Sequence, residues 1–152
     1  VTEAATRMGV GRAVIYRLQS REGQPGVRDA VELELAKARD SLGFWPQLRI
    51  DGPLDTVIDD PLAHELIAVL REGLSNVARH AHATQVRVEI SAVPDVCVRV
   101  VDDGVGPKAT RVESGLSNLR RRAEHLSGRL DVRPGVDGGT VLEWQVPLEA
   151  AP

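Results

Sequence analysis

Aromatic side chains are nearly absent: Phe, Trp and Tyr make up 3% of the 152 residues. The core therefore has to be filled by Val, Leu, Ile and Ala. Cysteine is scarcer still, with one residue, Cys97. A single thiol permits no intrachain disulfide, which fits a reducing compartment. Its place in an apolar, strand-like run reads as a small buried hydrophobe. No stretch approaches the roughly 20 apolar residues that a spanning helix needs, and no secretory signal opens the chain. The segment is expected to be cytoplasmic, or to have been cut from a larger membrane or soluble protein. Charge of one sign is also lacking: the net charge is -3, with acidic and basic residues interspersed. That argues against non-specific nucleic-acid binding. The common phosphate-binding signatures, G-x-x-x-x-G-K-[ST] and a helix-opening G-x-G-x-x-G, are missing. So are a Cys/His cluster with metal spacing, a nucleophile elbow, internal repeats and low-complexity stretches.

What is present is ordered periodicity. After a Gly/Pro break ending at Gly26, the residues Val27, Val31, Leu35, Ala38 and Leu42 recur at three- and four-residue steps, and Gly43 follows as a C-terminal cap. Gln47 to Ile50 reads as a short strand, and Asp51-Gly52-Pro53 as a turn. Asp59-Asp60-Pro61 opens a long helix, with Asp as cap and Pro in the first turn, and with an apolar stripe through Leu66, Leu70, Leu74, Val77 and Ala81. Val86, Val88 and Ile90, then Val96, Val98 and Val100, alternate with polar residues as an antiparallel pair does. A loop from Asp102 to Ser114 leads to a helix over roughly Leu116 to Ser127, with Leu119, Ala123 and Leu126 on one side and Gly128 as its stop. Arg129 to Arg133 and Thr140 to Val146 close the chain as a hairpin. The order predicts an α/β (α+β) two-layer sandwich: a mixed, mostly antiparallel sheet with helices on one face.

Four places carry chemistry. On the long helix, Glu72 and Asn76 stand four apart on one face, with Arg79 and His80 just beyond. A carboxylate, an amide, a guanidinium and an imidazole on one flank can handle a metal-phosphate. Asp102, Gly104 and Gly106 follow a valine-rich strand; an Asp there can accept from an exocyclic amine, and the glycines let backbone come close to a ligand. Gly115, Leu116 and Asn118 open a helix whose exposed N–H groups suit an anion. Gly138-Gly139-Thr140 opens the last strand. Each has a plainer reading: a solvated helix face, an acidic turn, a Ser cap and a hairpin turn.

In this order and spacing the four resemble the N, G1, G2 and G3 boxes of the gyrase/Hsp90/histidine-kinase/MutL ATPase superfamily. They are most similar to those of sensor histidine kinases of the nitrate-sensor and mycobacterial dormancy-survival oxygen-sensor subfamily. The boxes are LREGLSNVARHAHA (70–83), VVDDGVG (100–106), SGLSNLRRRAEHLSG (114–128) and GGT (138–140). The likeness spans about residues 27 to 148. It implies a Bergerat-type ATP-binding fold holding ATP and Mg2+ over residues 27–149. Asn76 would ligate Mg2+. Glu72 would act as the base or orienting carboxylate. Arg79 and His80 would lie by the phosphates or ribose. Asp102 would accept from the adenine amine, and Thr140 would help hold the base. Gly104 and Gly106 would line the base pocket, and Gly115, Leu116 and Asn118 would flank the triphosphate under a short lid, Pro107 to Ser114. Glu113 stands where many relatives carry a glycine, and a carboxylate there would repel the triphosphate unless it points to solvent.

No histidine precedes His64. The acceptor histidine of a kinase is thus expected on a dimerisation domain outside this chain, with residues 1–22 as the remnant of its helix or an appended helical segment, and a cognate response regulator downstream. His64 itself reads as a surface or satisfied helix residue. The isolated domain is expected to be monomeric. Residues 2–17 also resemble half of a helix-turn-helix, but twenty residues cannot supply the further helix its core needs, so DNA binding is not expected. Two other readings remain: a serine kinase of the anti-sigma type, or a degenerate module that binds a nucleotide or a partner without catalysis.

Overall fold

The structure, a computed structural model, describes residues 26–107 and 114–148. The segment 1–22, its helix-turn-helix likeness, Glu113 and most of the expected lid fall outside them.

Helix α1 (Val27–Leu42) starts where the sequence pattern places it and ends at Gly43, whose φ of 84° gives the left-handed C-terminal cap. Its first turn is held from elsewhere in the chain. The buried Asp55 carboxylate accepts from the Val27 N–H, and Gly26 packs so closely on Asp55 that a Cβ would collide with it. Strand β1 (Gln47–Asp51) leads through a short helix α2 (Leu54–Val57) into α3 (Asp60–Asn76). Asp59 caps α3 by accepting from the Leu62 N–H at 3.0 Å. A single π-helical turn (Val77–Ala81) extends α3 and stops at His82, which adopts the left-handed conformation. Strands β2 (Val86–Ser91) and β3 (Asp95–Asp102), helix α4 (Ser114–His125), and strands β4 (Arg129–Pro134) and β5 (Thr140–Pro147) complete the order. No described helix is long and apolar enough to cross a membrane.

The five strands form one sheet in the order β1-β2-β3-β5-β4. Only β1 runs parallel to its neighbour; every other pair is antiparallel. A parallel neighbour demands a crossover, and α3 supplies it. In register across the sheet, Val88, Val100, Leu142 and Val132 face the same side, as do Ile90, Val98, Trp144 and Leu130. These meet Leu66, Val69, Leu70 and Leu74 of α3 and Val31 and Leu35 of α1 in one aliphatic core around the fully buried Trp144. Glu34 of α1 is buried where Arg71 of α3 donates to it at 2.7 Å, and this bond holds its carboxyl below the ordinary glutamate range.

The opposite sheet face is polar. Arg99 bridges Glu89 and Glu143, and Arg129 and Arg133 also reach Glu143. Cys97 stands on this face, paired in register with Ser91 and Gln145. It is half-buried, not a core residue, because its odd-numbered position points away from the helices. Partial desolvation pushes its thiol up.

Helix α4 sits two residues earlier than expected. The chain leaves it through Leu126 and a left-handed Ser127 at φ 61°, so Leu126 is exposed in the turn instead of packed on the apolar side. Ser127 N–H donates to Glu124 and Gly128 N–H to Ala123, a Schellman closure. The left-handed residue is therefore Ser127, and Gly128 is small for another reason: a Cβ there would lie 2.2 Å from the Gln145 carbonyl of β5.

Candidate functional site

The polar flank of α3 opens on a cavity of about 490 Å3, within the roughly 300–1,000 Å3 common for ligand pockets. Gly73, Asn76 and His80 form one wall, Val100, Leu142 and Val132 form the floor, and Leu116, Ser117 and Arg120 of α4 form the opposite wall.

At the helix end, Glu72 and Asn76 lie one turn apart, and the π turn brings the next polar residues back over them. The Arg79 guanidinium donates to Asn76 Oδ1 at 3.1 Å and to the Ser75 carbonyl at 3.4 Å, and lies 3.7 Å from Glu72 Oε1. Arg79 is exposed, so this pairing is worth at most about 1 kcal/mol and releases readily. His80 borders the cavity beside Asn76. Glu72 faces α4, and at Gly115 a Cβ would come within 2.7 Å of its Oε1. Residue 115 has to be small for the Glu72 carboxylate to stay where it is.

At the sheet end, β3 finishes on Asp102, buried at 5% exposure. Its Oδ1 accepts from the Gly104 N–H at 2.7 Å. Desolvation raises its carboxyl, while backbone N–H groups of Gly104 and Thr140 pull the other way. A carboxylate has about four acceptor positions, so two bonds leave capacity for a donor in the cavity. Thr140 pairs with Asp102 across β5 and also borders the cavity. Just before it, Gly139 (φ 75°) packs so tightly on the Asp102 carbonyl that no Cβ fits.

The loop after Asp102 is sewn to the end of the π turn. Val105 N–H donates to the Ala81 carbonyl at 2.8 Å. Gly104 lies against the same carbonyl, where a Cβ would be 2.1 Å away. The Asp103 carboxylate accepts from the backbone N–H groups of Thr84 and Gln85 at 2.7 and 2.9 Å, and from the Thr84 hydroxyl. These bonds hold Asp103 below the ordinary aspartate range.

Of the residues singled out in the sequence, Asn76, His80, Asp102, Gly106, Leu116 and Thr140 border the cavity. Glu72, Arg79 and Gly115 gather at its helix end without forming its wall. Gly104 stands behind the cavity, against Ala81, and Asn118 is exposed on α4 away from the wall. His64 is exposed on α3. Gly73, Val100 and Arg120 also border the cavity, though no box marks them as site residues. A glycine inside an amphipathic helix, one turn before Asn76, was a usable signal for the first. Val100, two residues before Asp102, shares its strand face. Arg120 donates to the Leu130 carbonyl of β4 at 3.0 Å, a tertiary contact that no spacing announces. Farther along, Arg122 donates to Glu65 at 3.0 Å and ties α4 to α3.

Comparison with known proteins places the chain in a family. Residues 62–150 match the family described as histidine kinase-, DNA gyrase B-, and HSP90-like ATPase. The nitrate/nitrite sensor protein NarQ of Escherichia coli (strain K12) is 32% identical over 102 residues, covering 63% of this chain and 18% of NarQ. The nitrate/nitrite sensor protein NarX of the same strain is 33% identical over 129 residues, covering 82% of this chain and 21% of NarX. The chain thus spans about a fifth of the length of these curated relatives. Among solved structures, full-length ShkA in complex with AMPPNP superposes with a TM-score of 0.62 at 21% identity, covering 80% of this chain and 29% of that one.

Proposed function

The chain belongs to the histidine kinase-, DNA gyrase B-, and HSP90-like ATPase family, and from that premise we propose that its cleft binds Mg-ATP and that the intact protein passes the γ-phosphoryl group to a histidine outside this chain. The observation that carries the reading is that one cavity is bordered by both Asp102 and Asn76, each the head of an unlike polar group. A buried carboxylate, Asp102, stands at the sheet end, and a carboxylate–amide–guanidinium group, Glu72, Asn76 and Arg79, stands at the helix end. Asp102 suits the exocyclic amine of adenine. The same carboxylate would face the carbonyl of guanine, acceptor against acceptor.

The helix end fits a hard cation. Asn76 Oδ1 and the Glu72 carboxylate are oxygen donors, and among the described residues no group of three or more His, Cys, Asp or Glu is placed to hold a metal ion by itself. Mg2+ takes one or two protein oxygens and completes its shell with water and phosphate. Asn76 would hold it, with Glu72 at hand, and when bound it would offset charge on the phosphates. Arg79, released from Asn76, would turn to a phosphate oxygen.

Phosphoryl transfer asks a protein chiefly for position and electrostatics. The acceptor nitrogen forms a bond to the γ-phosphorus, the bond to the β,γ-bridging oxygen breaks, and ADP leaves. Glu72 orients the acceptor imidazole or takes its proton. The 27–149 segment is the catalytic domain in this reading, working in the cytoplasm. A dimerisation domain carries the histidine, and a response regulator receives the group, as befits the nitrate-sensor relatives.

The test is calorimetric titration of the chain with a non-hydrolysable ATP analogue, with and without Mg2+, and with the GTP counterpart. Mg2+-dependent binding at micromolar or better, with guanine discriminated against, is the expected result. Equal binding of both bases overturns the role of Asp102, and absence of any binding overturns the nucleotide reading.

A further inference from the structure

Asp103 does not border the cavity and is exposed, yet its carboxylate is engaged by three donors: Thr84 N–H, Gln85 N–H and the Thr84 hydroxyl. Its own N–H donates to the Gln85 carbonyl at 3.3 Å, so the contact is reciprocal. Together with the Val105-to-Ala81 bond and the close seat of Gly104 on Ala81, it forms a seam between residues 103–105 and residues 81–85.

The position of this seam in the chain gives it meaning. Immediately before residue 103 comes Asp102, the base-facing carboxylate. Immediately before Ala81 come Asn76, Arg79 and His80, the phosphate-facing group. Across the seam the residues that flank the two ends are joined by hydrogen bonds, whereas along the chain β2 and β3 separate them. His82, in its left-handed conformation, turns the chain out of the π turn. The Val105-to-Ala81 bond and the pairing of Val86 with Asp102 hold the two sides of this connection together, and the Asp103 carboxylate adds a grip on two consecutive backbone N–H groups between them.

Building on the Mg-ATP reading, we infer that Asp103 is a positioning residue that keeps the base end and the phosphate end of the cleft at the separation one nucleotide spans. ATP touches both ends as a bidentate ligand, so its affinity depends on their fixed spacing, whereas a fragment that touches one end is indifferent to it.

The experiment is an NMR titration of the chain with Mg-ATP, adenosine and Mg-tripolyphosphate, in the parent, Asp103→Ala and Asp103→Asn. Asp103→Ala should weaken ATP by at least roughly tenfold, with adenosine and tripolyphosphate changed by less than about twofold. Asp103→Asn should recover most of the loss, because an amide oxygen still accepts from both N–H groups. A uniform loss for all three ligands overturns the inference in favour of a general structural role, and an unchanged ATP affinity overturns it outright. Should Asp103→Ala fail to fold, Thr84→Val, which removes one donor, makes the same comparison with a smaller expected shift. A parent chain that binds no ATP sinks the nucleotide reading itself. A parent that binds, beside an Asp103→Ala variant that binds equally well, sinks only the positioning role.

Discussion

Gly73→Ala should make the domain more stable and a poorer nucleotide binder. Gly73 lies in the interior of α3 and borders the cavity. Glycine in a helix interior costs about 1 kcal/mol relative to alanine, and burying one methyl contributes a further ~0.8 kcal/mol. Against this, the new Cβ would meet Val100 Cγ2 at 3.3 Å and Leu142 Cδ1 at 3.5 Å. Only the first is tight, and Val100 also borders the cavity, so it has space to retreat. With compression set at ~1 kcal/mol, the balance favours alanine by about 1 kcal/mol. For a domain of this size that raises Tm by roughly 3 °C. The methyl then takes room on the wall between the two ends of the cleft. Displacing a ligand seated there should weaken ATP by roughly tenfold, the scale of one overpacked methyl. Thermal melts by circular dichroism and calorimetric titration of the same variant decide the matter. A lower Tm would refute the claim that Val100 can move aside. A higher Tm with unchanged ATP affinity would refute the placement of the nucleotide along this wall.

Asp102→Asn should likewise raise Tm at neutral pH while weakening ATP binding. Burial raises this carboxyl, so its ionised form costs stability that appears as pH climbs through and above the ordinary aspartate range; an equal Tm in both proteins would deny that cost. Glu34→Gln should destabilise by about 1–2 kcal/mol at neutral pH, the scale of a hydrogen bond to a charged group discounted for the exposed Arg71. Because Glu34 is held below the ordinary range, its contribution is complete above pH of about 4.3 and lost as pH falls through its folded value. Denaturant midpoints of parent and variant should therefore converge in acid, and a constant gap would contradict the assignment. Arg79→Ala uncovers Asn76 Oδ1 and Glu72. It should tighten Mn2+ binding without nucleotide by about two- to fivefold, the worth of an exposed ion pair, as read by electron paramagnetic resonance; no change would mean that the guanidinium does not shield them.

The sheet and its long helices were legible because their signals are local. Asp59 with Pro61, the left-handed Gly43, and period-two Val and Ile at 86–90 and Val at 96–100 each act within a few residues. What escaped depends on contacts between distant segments. Helix α2 has four residues and no periodicity to read, yet it delivers Asp55 to the start of α1. The π turn leaves the apolar stripe through Val77 and Ala81 intact, so the sequence shows nothing of the backbone change beneath it. Cys97 sits outside the core although the run Val96-Cys97-Val98 is uniformly apolar, because only strand alternation decides which member turns outward. Leu126 was counted with the helix because Gly128 looked like its cap, whereas Ser127 takes the left-handed role. At the candidate site, box order marked the residues at the two ends, while the floor and the α4 wall emerged only once the strands were in register.

Strands β3 and β5 carry two instruction sets interleaved residue by residue. Even positions of β3, Val96 through Asp102, build the core and then the cleft, while Arg99 on the odd side joins the ion-pair lattice centred on Glu143. Exchanging charges on the outer face therefore changes solubility, salt response or the character of a neighbouring surface without altering a single atom that faces the cleft. Such a sheet leaves its exterior free to change at the charged positions, while Val141 on the same face stays buried and the interior stays under separate constraint.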